Sequence, residues 1–457
     1  MWKEKIRKDS DREVILSWDA TGYQKNIKFN KSTGELLGFA CDPESFSCHQ
    51  MFSNKVNCFV VSSPESRIKI KFPVAYYHCS TLNSTVIRHQ WDEVMTGLAS
   101  IGLKMICCVC DGTSEHHKFF KSILEVVSEH DPTIVVQLDD MWVVSDPPHL
   151  IKKFRNNWLS SGEDPRHTKR LMINGHHIGW SYMVATYTSS TTLPDGSRRP
   201  LHILPKVNYN VIEPSSIQRL RVSLAAIPFS KTVQDYVRLN IPSVAEIARV
   251  NESDVIATLQ FSENVNELFQ IMNSDETFTW TEELDDNGIP IGLRDKLDTR
   301  YKHKLNWFSD KYGVSVNTLM KITGLPSGES TPGVGSTLII DRPKRLLEIA
   351  EYFKLWKQDV GSMNQYTRTQ RQKMFITHWL YDDLRRTCYS MCELLNRYVK
   401  HSTRRWKPSR FTQDPIESLF GRIRQLAGSN IHLDRISVDH GMSEVRSMGL
   451  KKTTITY

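Results

Sequence analysis

The sequence predicts a mixed three-layer α/β domain interrupted by a long, mostly helical segment. Three observations predict it. Strand and helix patterns alternate over the first third of the chain, a nearly continuous apolar run, LKMICCVCDG, lies among them, and from about residue 160 to 405 helical periodicity takes over. The helical stretch reads as an insertion, because SRFTQDPIESLFGRIRQLAG (409–428) returns to features that complete the α/β domain. The expected division is therefore 10–158 for the first part of the α/β domain, 159–405 for the helical insertion, 406–430 for the returning helix and 431–457 for a tail.

In chain order, DREVILSWDATGY predicts a strand with Val14, Leu16 and Trp18 on one side and Ile15, Ser17 and Asp19 on the other. KFNKSTGELLGFA has a Ser-Thr-Gly turn at its middle and reads as a hairpin. KVNCFVVSS and RIKIKFPVAYYHC add strands, and TVIRHQWDEVMTGLASIG adds a helix stopped by Gly102. LKMICCVCDG suits a strand buried on both faces and ends in Asp111. SEHHKFFKSILEVVSEH reads as helix throughout, and MWVVSDPPHLIKKFRNNWLSSG as a short strand, a Pro-Pro break and a basic amphipathic helix. Further on, SSIQRLRVSLAAIPFSKTVQDYVRL, FSENVNELFQIMNS, PKRLLEIAEYFKLWKQDV and KMFITHWLYDDLRRTCYSMCELLNRYVKHS carry helical patterns. TGLPSGESTPGVGSTLIID reads as a Gly/Ser/Pro-rich surface loop.

At 39% hydrophobic and 24% charged residues, the composition is that of a soluble globular protein. No window approaches the roughly 18 uninterrupted apolar residues of a membrane span. The start, MWKEKIRKDSDREV, lacks the apolar core of a secretory signal and also suits a chain that begins inside a longer protein. Nine irregularly spaced cysteines point to reduced thiols. Cys107 and Cys110 form a C-x-x-C, but strand alternation sends them to opposite faces, so buried thiols fit better than a zinc site. A net charge of +8 permits an anionic partner such as nucleic acid. The basic runs RTQRQK, HSTRRWKPSR and GRIRQ cluster late in the chain.

Three carboxylates carry the chemical interest. Asp19 sits inside an apolar strand, where desolvation is costly unless the group is paired or coordinating. Asp111 precedes Gly112, which permits a sharp strand-to-helix turn. Carboxylates converging from neighbouring strands make a partial shell for Mg²⁺, and two such ions can assist phosphoryl transfer. Each Asp has a plainer reading as a cap or turn residue. Glu417 has one too: with Asp414 as N-cap and Pro415 next, Glu417 falls at capping-box spacing.

LSWDATGYQKNIKFNKSTGELLGFA, GLKMICCVCDGTSEHHKFF, SDPPHLIKKFRNNW, RVSLAAIPFSKTV, ENVNELFQIMNSD and FTQDPIESLFGRIRQLAG together resemble, in order and over residues 19 to 428, the P element transposase family and its THAP-containing relatives. The resemblance implies an RNase H-like mixed sheet with helices on both faces, interrupted by a large helical insertion that binds GTP. It implies a catalytic metal triad of Asp19, Asp111 and Glu417 holding Mg²⁺, with Mn²⁺ as substitute. It further implies phosphodiester hydrolysis at transposon ends, strand transfer into target DNA, a nuclear location and a homodimer or larger assembly. For the nucleotide, it points to Lys206, Arg221, Val222, Ser230, Asn266, Phe269, Gln270, Asn273, Ser274 and Asp414.

The sequence departs from the family pattern at several of these positions. Gln270 stands where the GTP-binding member has Asp, and Gln cannot accept both hydrogen bonds from the guanine edge. Arg221 replaces a familiar Lys, and Cys41, Cys48, His49 and Cys58 lack the paired spacing of a THAP zinc finger. The alternative function is a non-cutting nuclear DNA- or protein-binding descendant of such a transposase.

Overall fold

The computed structural model describes residues 12–454 apart from 32–33, 41–51, 65–70, 124–125, 128–134, 139–140, 165–166, 194, 199–201, 275–341, 397–406 and 429–432. Cys41, Cys48, His49 and the Gly/Ser/Pro-rich loop lie outside the described residues.

After Lys104, every side chain of the run MICCVC is apolar and buried, and it becomes the central strand. The main-sheet strands are β1 (Glu13–Gly22), β4 (Lys55–Ser62), β5 (Lys71–Cys79), β6 (Lys104–Cys110), β7 (Val126–Val127), β8 (Val135–Leu138) and β9 (Met141–Ser145); β2 (Lys28–Asn30) and β3 (Glu35–Leu37) form the predicted hairpin beside it. The order across the sheet is β5-β4-β1-β6-β9-β8-β7. Its centre, β1-β6-β9, is parallel, and both flanks are antiparallel. Such a mixed sheet needs cover on both faces of its parallel centre.

One face is covered by α1 (Ser84–Ser100) and α2 (Ser114–Ile123): Val14, Leu16, Trp18, Cys108 and Cys110 pack there with Ile87, Trp91, Phe119 and Phe120. Asn83 caps α1 by accepting from the Val86 N–H at 2.9 Å, and Gly102, at φ +75°, follows its end. Cys107 packs on the opposite face from Cys110, as strand alternation requires. The predicted helix through SEHHKFFKSILEVVSEH stops earlier than expected: α2 ends at Ile123, and the β-branched pair Val126–Val127 joins β8 instead.

The other face is shared by two sets of helices. Towards β6 and β9 lies α3 (Pro147–Leu159), whose Leu150, Ile151, Phe154 and Trp158 join Ile15, Val109 and Val144 in one continuous core with the helical region. That region contains α4 (Ser181–Thr191), α5 (Tyr209–Ile212), α6 (Val222–Ala226), α7 (Lys231–Leu239), α8 (Ile241–Ala248), α9 (Glu252–Met272), α10 (Arg342–Ser362), α11 (Arg368–Met374) and α12 (His378–Leu394). The helical pattern through SSIQRLRVSLAAIPFSKTVQDYVRL takes the form of 3₁₀ turns and short helices, with Arg221 extended and Pro228 in a 3₁₀ turn. Towards β1 and β4 the cover is α13 (Asp414–Leu426) and α14 (Arg435–Thr454). Ile416, Leu419, Phe420 and Ile423, at helical spacing, pack on Val56, Cys58 and Val60. The chain thus leaves the sheet after β9 and returns to it with α13. Among the described residues no helix is long and apolar enough to cross a membrane.

Trp18 is the hub of the first face, with ring contacts to Phe59, Trp91, His116, Phe119 and Phe120. Its Nε1 donates to His116 Nε2 at 3.1 Å. Trp18→Phe removes that donor from a buried imidazole and is expected to cost about 1–3 kcal/mol in urea unfolding.

Candidate active site

The register of the parallel strands places the acidic residues. Ser17 pairs with Val109, so two residues further on Asp19 stands beside Asp111. Cys110 pairs with Ser145, so the next step sets Asp111 beside Asp146, whose N–H donates to Cys110 O at 2.9 Å. Three aspartates therefore lie abreast, Asp19 within β1 just beyond its last pair with β6, and Asp111 and Asp146 directly after the carboxyl ends of β6 and β9, where open α/β sheets place their ligand sites.

Their environments separate their roles. Asp19 accepts the Ala20 N–H at 2.7 Å, and burial, reinforced by the charge of Asp111, pushes its carboxyl up to about 6. Burial pushes Asp111 up too, but His116, His149 and Lys153 outweigh it and hold that carboxyl below its usual range. His116 Nδ1 lies 2.9 Å from Asp111 Oδ1. Because the indole N–H of Trp18 can only donate, His116 Nε2 accepts, and its proton sits on the Nδ1 that faces Asp111. Asp146 is fully committed to structure. Its Oδ2 caps α3 by accepting the His149 N–H at 3.0 Å and lies 2.7 Å from His149 Nδ1, while its Oδ1 accepts the Gln413 N–H at 2.7 Å.

That last bond brings in the returning helix. Gln413 Nε2 donates to Trp18 O at 2.9 Å, Ser17 Oγ to Thr412 O at 3.4 Å, and Arg424 Nη2 to Thr21 Oγ1 at 3.1 Å. The helix α13 is thereby aligned along β1, the strand that carries Asp19. Its start corrects the sequence expectation: the N-cap is Gln413, not Asp414, and no side chain caps it. Glu417 accordingly makes no capping box, and its side chain is exposed in the first turn. Among the described residues no three His, Cys, Asp or Glu side chains converge closely enough to hold a metal ion. In this conformation the structure thus brings together Asp19 and Asp111, and Glu417 stands apart from them.

Asp19 and Asp111 suit a hard cation. They are two neighbouring carboxylates in a largely buried place, one of them held up in pKa partly by the other's charge, and a divalent ion relieves that repulsion.

The residues expected around a nucleotide are spread more widely. Lys206 is exposed between α4 and α5; Arg221, also exposed, precedes α6, which Val222 opens; Ser230 precedes α7 without a side-chain cap. Asn266, Phe269 and Gln270 occupy the end of α9, with Asn273 as its C-cap. Phe269 is half-buried and walls a small apolar cavity with Leu150, Phe154 and Met272. Ser274 O accepts from Ser409 N at 3.2 Å, which ties the end of α9 to the turn before Asp414.

Sequence reasoning missed Asp146, His149, His116 and Lys153. The signal for Asp146 was present: like Asp111 it ends an apolar strand, and it precedes Pro147 at a helix start, the position of a cap.

Residues 1–124 match the family of TNP-like RNase H N-terminal domains. The Transposable element P transposase of Drosophila melanogaster is 31% identical over 134 residues, a match covering 29% of this chain and 15% of that protein. Among solved structures, the Drosophila P element transposase strand transfer complex matches 98% of this chain and 78% of its own with a TM-score of 0.62 at 18% identity. The seven-stranded mixed sheet with helices on both faces is thus an RNase H-like fold. Residues 1–124 therefore carry a TNP-like RNase H N-terminal domain, and the chain as a whole shares the fold of the P element transposase complex it matches.

Proposed function

We propose that the protein is a DNA transposase that cleaves phosphodiester bonds and joins the resulting 3′-hydroxyl to target DNA with a divalent cation. The observation that carries this reading is the register that sets Asp19 beside Asp111 where the parallel pairing of β1 with β6 ends. Asp19 and Asp111 would hold Mg²⁺ or Mn²⁺, with Glu417 as a third ligand drawn in when DNA is bound. The ion supplies Lewis-acid activation of the attacking oxygen and stabilisation of the leaving one. Lys153 adds positive charge near Asp111, which helps to keep that carboxylate ionised. Lys71 lies within electrostatic range of Arg410, just before α13, and of Arg422, on that helix, and the three suit backbone phosphates beside the site. Pairing of two DNA ends by a homodimer in the nucleus, with GTP held near the end of α9, belongs to the same reading.

A Mn²⁺ titration by calorimetry, with a short DNA duplex present, tests it on wild type, Asp19→Asn and Asp111→Asn. Stoichiometric binding that weakens at least about tenfold in both variants is expected. DNA binding with no uptake of Mn²⁺ would instead favour a non-cutting descendant, a reading supported by the exposed position of Glu417.

A further inference from the structure

A fourth aspartate reaches the site from outside the sheet. Asp383, on α12, is wholly buried. Its Oδ1 accepts from Ser145 Oγ at 3.1 Å and lies 3.1 Å from His117 Nε2, and its Oδ2 accepts from Lys153 Nζ at 3.0 Å. The same Lys153 ammonium donates to Asp111 O at 2.7 Å and to Gly112 O at 2.9 Å. All three donors of one cation are therefore spent on a buried carboxylate and on the two carbonyls of the turn that presents Asp111.

Gly112 completes the arrangement. It sits at φ +63°, and a Cβ there would come within 2.5 Å of Asp383 Oδ2. The carboxylate thus occupies the space that any other residue's side chain would need. Further along α12, Thr387 Oγ1 accepts the Ser145 N–H at 3.0 Å and Ser390 Oγ donates to Val136 O at 3.3 Å. At spacings of four and three residues, Asp383, Thr387 and Ser390 lie on one face of α12, turned to the ends of β8 and β9 and to the turn after β6.

We infer that Asp383 is a positioning residue: acting through Lys153 and the space at Gly112, it fixes the turn that aims the Asp111 carboxylate. The inference rests on Asp111 being a cation ligand. It makes the helical region part of the active site, because the residue that holds the turn is carried by its last helix. A buried ion pair with only a structural role would lower stability when broken and leave ligand geometry alone. A group that holds a ligand's backbone behaves like the outer partners of metal ligands, whose loss weakens binding about 10–100-fold.

The test uses the full chain as wild type, Asp383→Asn and Lys153→Met, the latter changing a partly exposed residue in case the buried substitution does not fold. Three quantities are read: the melting temperature, amide hydrogen exchange of peptides covering 108–116, and Mn²⁺ affinity with a DNA duplex present. Expected are faster exchange in that turn and a roughly tenfold or greater rise in Mn²⁺ Kd, in variants that still melt cooperatively. A lowered melting temperature with unchanged exchange and unchanged Kd overturns the inference. Should wild type itself take up no Mn²⁺, the cation reading fails separately, and the exchange data alone then decide whether Asp383 holds the turn.

Discussion

Asp19→Asn will stabilise the metal-free protein at neutral pH while removing its response to Mn²⁺. Burial, aided by Asp111, raises the Asp19 carboxyl from 3.8 to about 6 in the folded state. A carboxyl raised on folding contributes stability that is fully present below the unfolded value of 3.8 and is lost as pH rises through about 6. The loss is about 3 kcal/mol. Asparagine keeps the acceptor for the Ala20 N–H and carries no charge, so the variant escapes that loss. Urea unfolding in EDTA at several pH values between 4 and 7.5 checks this: the stability difference between variant and wild type should grow by about 3 kcal/mol across the range. Mn²⁺ should then raise wild-type stability above pH 6 and leave the variant unmoved. Parallel pH curves would mean that Asp19 is not held in a repulsive buried pair. Asp111 has the opposite sign: its lowered carboxyl supports the fold at neutral pH, and that support is lost only in acid, below its usual range.

Glu417→Gln is expected to reduce Mn²⁺-dependent nicking of supercoiled plasmid by at least about a hundredfold, the scale of losing one preorganised charge-stabilising group. The fold should scarcely notice. Glu417 is exposed and makes no cap, so its structural contribution is a favourable placement at a helix amino terminus, about 0.3–1 kcal/mol. A large fall in activity with so small a change in thermal unfolding separates chemistry from packing. Nicking at the wild-type rate would remove Glu417 from the mechanism and leave Asp19 and Asp111 as the cation pair.

Sequence periodicity revealed the sheet because its central strands are buried on both faces or alternate cleanly: the two sides of β1 came out as expected, with Val14, Leu16 and Trp18 opposite Ile15. The end of α2 was not legible, since Val126 and Val127 suit either a helix face or a strand until β8 is there to pair with them. Asp19 and Asp111 could be picked out as anomalies, a charge within a strand and a charge before a glycine. The capping box at Glu417 misled, because Gln413 is drawn to Asp146 and Trp18 and takes the cap position from Asp414. Asp383 left no mark at all. In a pattern such as YDDLRRT an acidic residue reads as surface, and only the packing of α12 against β9 and the turn at Gly112 turns it inward.

The bonds between Ser17 and Thr412 and between Trp18 and Gln413 each join residues 395 positions apart. On the ribosome, β1 and β6 emerge early, whereas the segment that docks beside Asp19 is made only after the helices α4 to α12. Such long-range closure is slow and comes late in folding. A nascent or prematurely terminated chain would therefore carry the aspartate pair without the helix that bears Glu417.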